Sequence, residues 1–179
     1  MVRSVLPIAV LVLVLGGCTT KDSGNPTAGG STTTPAETSV EATTTTTAAA
    51  DNELAGFDPC EELNEVSSQL SLSRIADDGK QDCTARWGES TTAVRIKVFP
   101  DLGIDEVKGS SNSKSSDISI GAHKAKQVTA TASDLSCAVA VEITAESRVD
   151  FIGSTNTTVD EACAVATKLA EAVEPKLPE

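Results

Sequence analysis

The chain has 179 residues and a formal net charge of −12, from 26 acidic and 14 basic residues. An acidic protein is not drawn to nucleic acid or to anionic lipid headgroups, so the composition argues against both as partners. Only 2% of the residues are aromatic and none is tyrosine. This scarcity also disfavours a carbohydrate-binding surface built from exposed rings.

The N-terminal segment has the layout of a bacterial export signal. Arg3 precedes an apolar run from Val5 to Leu15, which is short of the roughly 20 apolar residues that a membrane-spanning helix needs. The run ends in a leucine, two glycines and Cys18, which is the lipobox pattern. We therefore expect residues 1–17 to be a cleaved signal peptide. Cys18 is then expected to carry a diacylglyceryl lipid that anchors the protein at the outer face of the plasma membrane.

The residues that follow the lipobox predict a tether. Residues 18–52 consist mainly of Thr, Ser, Ala, Gly and Pro, and include an unbroken run of threonine from Thr43 to Thr47. They show no apolar periodicity, so they cannot build a core. A single folded domain is expected over residues 53–179, which is long enough for one modest core.

Four cysteines remain for the exported domain: Cys60, Cys83, Cys137 and Cys163. An even number in an oxidising compartment indicates two disulfides. A zinc site is disfavoured because no two cysteines have C-x-x-C spacing and His123 is the only histidine, and we expect no cofactor. The sequence permits three pairings. Of these we prefer closure between neighbours along the chain, Cys60 with Cys83 and Cys137 with Cys163.

An N-terminal helix is expected to begin at Pro59. Asp58 is a suitable N-cap, and Glu61 stands where a capping box would place it. Three apolar residues follow at helical spacing: Leu63, Val66 and Leu70. The next stretches are predicted as a turn (77–79), strands (83–87 and 92–99), a short helix (102–107) and a serine-rich loop (109–116).

The second half of the domain is predicted to contain two hairpins. Residues 117–121 and 124–131 form the first, which turns near Gly121. Residues 136–145 form the clearest strand because apolar side chains alternate along it. Residues 148–153 are its expected hairpin partner.

A C-terminal helix closes the domain. Thr158 caps it, Glu161 completes a second capping box, and Pro175 ends it. Five residues make its buried stripe: Ala162, Val165, Ala166, Leu169 and Val173. The predicted fold class is therefore α+β, an antiparallel sheet packed by an N-terminal and a C-terminal helix and carrying two disulfides.

Short motifs surround the four domain cysteines. F-D-P-C ends at Cys60, a tryptophan follows Cys83, L-S-C ends at Cys137, and C-A-V-A begins at Cys163. Together with the lipobox, these motifs resemble a family of actinobacterial exported lipoproteins catalogued as a domain of unknown function. The resemblance covers about residues 54–178. It implies export, a lipid anchor and disulfides, and it carries no established activity.

Signals for catalysis are few. Ser111 and Lys114 match the S-x-x-K motif of penicillin-recognising enzymes, but they lie in the serine-rich loop without the partner motifs. His123 is expected at an exposed hairpin turn. We therefore expect a non-catalytic accessory module that binds an envelope ligand or partner protein. The alternatives are an unrecognised envelope hydrolase, using His123 or paired carboxylates, and a structural component of the envelope.

Overall fold

The computed structural model describes residues 53–179, so the predicted signal peptide, Cys18 and the tether lie outside the described residues. Within this part of the chain, no helix has the length and apolar character needed to cross a membrane. Two 3₁₀ helices lie at Ile104–Glu106 and Glu174–Lys176. The other elements are α1 (Pro59–Glu65), α2 (Ser67–Leu70), β1 (Leu72–Asp77), β2 (Asp82–Trp87), β3 (Ala93–Phe99), β4 (Ser115–Ile120), β5 (His123–Thr129), β6 (Ser136–Thr144), β7 (Ser147–Ser154) and α3 (Val159–Val173).

The seven strands form one antiparallel sheet in the order β1-β2-β3-β7-β6-β5-β4. The expected hairpins, β4–β5 and β6–β7, are both present. After β3 the chain must travel from the middle of the sheet to its far edge before β4 begins. Residues 100–114, here called the crossing segment, make this connection.

Both main helices pack on one face of the sheet, where α1 covers the β1–β3 side and α3 covers β6 and β7. Alternation places Val94, Ile96 and Val98 of β3 in this core. The expected stripe of α3 is buried in full. Gly153 lets α3 approach β7 closely, because a Cβ there would lie 2.2 Å from the carbonyl oxygen of Ala162. The predicted α+β fold class is confirmed.

Two disulfides hold the helices to the sheet. Cys60–Cys83 joins the first turn of α1 to β2, and Cys137–Cys163 joins β6 to α3. The preferred pairing is therefore confirmed. The bonded residues are 23 and 26 positions apart, and closing a loop of that size stabilises the fold by about 3.5 kcal/mol in the chain-entropy model.

The crossing segment runs over the face of the sheet without helices, here called the open face. Arg148 holds it there. Its Nη1 donates to the carbonyls of Leu102 (3.0 Å) and Gly103 (2.9 Å), and its guanidinium lies 4.0 Å from the centre of the Phe99 ring. Its Nε pairs with Asp150 at 2.8 Å, and both side chains are less than a tenth exposed. Burial raises the pKa of Asp150 despite this partner.

The helix termini differ in detail from the prediction. The Asp58 carboxylate accepts from the backbone N–H groups of Cys60 and Glu61, and the Thr158 hydroxyl accepts from that of Glu161. The N-caps are thus present, but the Glu161 carboxylate accepts from the Thr157 hydroxyl instead of closing a box.

Three other boundaries differ. The first helix breaks at Val66 into α1 and α2, and β1 follows, which the sequence did not predict. The expected helix at 102–107 is one 3₁₀ turn, and β4 begins at Ser115 inside the expected loop. Around β1 and along the crossing segment the local apolar pattern is weak, so contacts with the sheet decide the conformation there.

Candidate anion-binding cleft

A cleft of about 700 Å³ opens at one end of the sheet, where β1 begins and the β2–β3 turn closes. The chain enters the domain at the opposite end, since Leu54 lies beside Gln81 and Val98, which flank the far ends of β2 and β3. We call it the arginine cleft. Its lining residues are Ser71, Ser73, Arg74, Arg86, Gly88, Glu89, Ser90 and Thr91.

Arg74 lies at an irregularity of the edge strand β1. The register between β1 and β2 shifts between Ser73 and Ala76, which is a β-bulge. Arg74 has a φ of 53° and Ser71 has a φ of 55°, both in the left-handed region that disfavours residues with a Cβ. Such conformations cost about 1–3 kcal/mol and occur preferentially at functional sites. The bulge re-aims Arg74 at the edge of the sheet.

Arg86 is held from the other side of the cleft. It follows the alternation of β2 onto the open face, and its Nη1 donates to the carbonyl of Thr91 at 2.8 Å. The turn that carries this carbonyl is itself fixed by Ser90. The Ser90 hydroxyl donates to the Trp87 carbonyl at 2.7 Å and accepts from the Thr92 N–H at 3.2 Å. The guanidinium is thus positioned by neutral groups.

Neither arginine of the cleft forms an ion pair with a carboxylate of residues 53–179. Arg95, on the same open face, pairs with both Asp78 and Asp82. Glu89 lines the cleft but lies beyond ion-pairing distance of both guanidiniums. In a chain of net charge −12, two arginines that line one cleft without counter-charges leave a place for an anion. Guanidinium groups bind carboxylate and phosphate through paired N–H donors.

A second depression, of about 550 Å³, lies at the opposite end beside the start of α1. Residues 55–61 supply most of its wall. The Asp58 carboxylate in it is already used to cap the helix. The arginine cleft is therefore the stronger candidate, because neither of its arginines is paired with a carboxylate of the described residues.

The residues that the sequence offered as candidates for catalysis, His123 and the S-x-x-K pair, do not form a common site. His123 is half-buried at the first residue of β5, where its Nδ1 lies 3.3 Å from the carbonyl oxygen of Glu142. It forms no hydrogen bond with a hydroxyl or a carboxylate of the described residues. The S-x-x-K pair also stays apart from it, and the backbone N–H of Lys114 donates to the Thr129 hydroxyl at 2.9 Å.

The four domain cysteines are structural and lie outside the arginine cleft. Trp87 packs half-buried against the core. Sequence reasoning missed both cleft arginines. Arg86 could have been noticed as a charged residue facing away from the core in an alternating strand, whereas nothing in the sequence marks Arg74, because β1 lacks that alternation.

Comparison with known proteins gives one result. No curated protein and no solved structure matches the chain significantly. The sequence profile of one family matches residues 13–176, which is most of the chain. The chain therefore belongs to the family described as "protein of unknown function (DUF3558)".

Proposed function

We propose that this protein is a lipid-anchored, extracytoplasmic binding module, without catalytic activity, that holds an anionic ligand in the arginine cleft. One observation carries the proposal: Arg74 and Arg86 face one cleft without a carboxylate partner among the described residues. Both guanidiniums are exposed, so water solvates them in the free protein. An anionic ligand would supply a counter-charge and paired hydrogen-bond acceptors.

The anchor is supported by the sequence. Cys18 follows a short apolar run and two small residues, and the other four cysteines of the chain are paired in disulfides. Cys18 is therefore the one cysteine left for lipid. The family match begins at residue 13 and so includes it. Residues 18–52 would then tether the domain to the outer face of an actinobacterial plasma membrane.

Fractionation of the expressing cell tests the anchor. The native chain is expected in the membrane fraction and labelled by radioactive palmitate. Cys18→Ser should be unlabelled and released, and should still form both disulfides, which mass mapping without reduction can verify. Membrane retention of Cys18→Ser in the absence of label would contradict the anchor.

Titration of the full chain, purified in detergent, tests the anion site. Inorganic phosphate is expected to bind, with NMR shift changes confined to residues 71–74 and 86–91. Arg74→Gln and Arg86→Gln should each weaken binding about tenfold, because a hydrogen bond to a charged group contributes about 1.5–3 kcal/mol. Lys168→Gln is the matched control, since Lys168 is an exposed cation on α3 outside the cleft. Equal binding by all three variants would overturn the proposal.

A further inference from the structure

We infer that the arginine cleft selects a single compact anionic group carried on a small, hydroxyl-rich body, that is, a sugar phosphate or a sugar acid, in preference to a polyanion. The inference rests on the proposed anion-binding function and concerns which anions the site accepts. It follows from the charges that surround the two arginines and from the neutral groups that line the cleft.

The cationic surface stops at Arg86. The next cation along the open face is Arg95 of β3, which stands diagonally across from Arg86 in the β2–β3 register, and Lys97 lies two residues further along β3, opposite Asp82. Arg95 pairs with Asp78 and, at 3.1 Å, with Asp82, while the Lys97 ammonium lies 3.9 Å from Asp82. A polyanion that continued along the sheet would therefore meet neutralised cations and two carboxylates. Such a surface offers a polyanion no additional attraction.

Glu89 limits the size of the negatively charged group on the side of the β2–β3 turn. It lines the cleft from the β2–β3 turn, and its side chain is exposed. A carboxylate repels a second anionic group but accepts hydrogen bonds from hydroxyls. The favourable position for negative charge is thus confined to the neighbourhood of Arg74 and Arg86, and hydroxyl groups are favoured beside it.

The rest of the lining is neutral and hydroxylated. Ser71, Ser73 and Thr91 contribute hydroxyl groups, whereas the Ser90 hydroxyl is used within the turn. The Ser73 hydroxyl makes only a long contact, 3.4 Å, with the Gly88 carbonyl, so it is available to a ligand. Hydroxyls both donate and accept, which suits a sugar ring. A volume of about 700 Å³ lies within the range of small-molecule sites.

Aromatic stacking plays no part in this recognition. Trp87 precedes the turn but packs half-buried against the core, and it does not line the cleft. Affinity for a neutral sugar would then rest on exposed hydrogen bonds alone, which contribute little net free energy in water. The anionic group must supply most of the binding, and the hydroxyls must supply the selectivity.

Isothermal titration of the full chain in detergent with five probes tests the inference: inorganic phosphate, glucose 6-phosphate, glucuronate, glucose and long-chain polyphosphate. Glucose 6-phosphate is expected to bind at least tenfold more tightly than phosphate, and glucose should not bind measurably. Polyphosphate should bind no more tightly, per phosphate group, than phosphate itself. Glucuronate should behave as glucose 6-phosphate does.

A double variant distinguishes recognition of the anionic group from recognition of the sugar that carries it. Ser73→Ala with Thr91→Val should remove the preference for glucose 6-phosphate over phosphate, because the hydroxyls that would hold the sugar are lost while both arginines remain. Phosphate binding without that preference, or tighter binding of polyphosphate, would overturn the inference and leave the proposed function standing. Failure of every anionic probe to bind would remove both.

Discussion

At the scale of single residues, Arg74 has a strained backbone conformation and a charged side chain that forms no ion pair within the described residues. Its φ of 53° is one that glycine adopts without penalty. Replacing Arg74 with glycine should therefore raise the free energy of unfolding by about 1 kcal/mol, since the left-handed conformation costs a side-chain-bearing residue about 1–2 kcal/mol. The same change should weaken phosphate binding about tenfold. Urea unfolding and isothermal titration measure the two effects.

Ala130 provides the matched control for that change. It has a φ of 54° at the end of the β5–β6 pair, away from the arginine cleft. Ala130→Gly should stabilise the protein by a smaller amount, because it also removes a buried methyl group, and it should leave phosphate affinity unchanged. A loss of stability in Arg74→Gly, alongside a gain in Ala130→Gly, would mean that the Arg74 side chain supports the fold and is not held for a ligand.

At the scale of elements, apolar periodicity predicted the helices and strands that pack against the core. β3, the β6–β7 hairpin and α3 each present a regular apolar side to the same core, so their positions were accessible from sequence. The disulfide pairing was only a preference for neighbours along the chain, since the sequence permits three pairings. β1 was not accessible from sequence, because it is an edge strand interrupted by a bulge and only Leu72 and Ile75 are half-buried. The cleft depends on that bulge. For this reason its location could not be predicted.

The crossing segment depends on a buried ion pair. Arg148→Met would leave the Asp150 carboxylate buried without its partner, and breaking such a pair costs about 3–5 kcal/mol. Adding Asp150→Leu removes the orphaned charge and should recover most of that loss in urea unfolding. Because the bonds to Leu102 and Gly103 are lost in both variants, protease cleavage within residues 100–109 should stay accelerated in both. Protection of this segment in the double variant would contradict the role given to Arg148.

At the scale of the whole molecule, burial makes the ionised form of several carboxylates less favourable in a protein that already has a large negative charge. The pKa of Glu62 is raised by burial, and so are those of Asp82 and Asp150, although Lys176, Arg95 and Arg148 respectively oppose the shift. Each carboxylate lies where an element packs against another, so these shifts belong to the folded state. The folded protein therefore holds these protons more tightly than the unfolded chain does.

Mild acidification should consequently stabilise the protein. Stability rises with falling pH wherever the folded state binds more protons, so these groups add stability as the pH drops through their folded pKa values. Their gain is complete below the ordinary values of 4.5 for Glu62 and 3.8 for Asp82 and Asp150. We expect a higher Tm at about pH 5 than at about pH 7, measured by calorimetry. The double variant Glu62→Gln with Asp82→Asn should show a smaller rise in Tm, because an amide does not titrate. A Tm of the native chain that fell from about pH 7 to about pH 5 would show that the buried carboxylates do not control its response to acid.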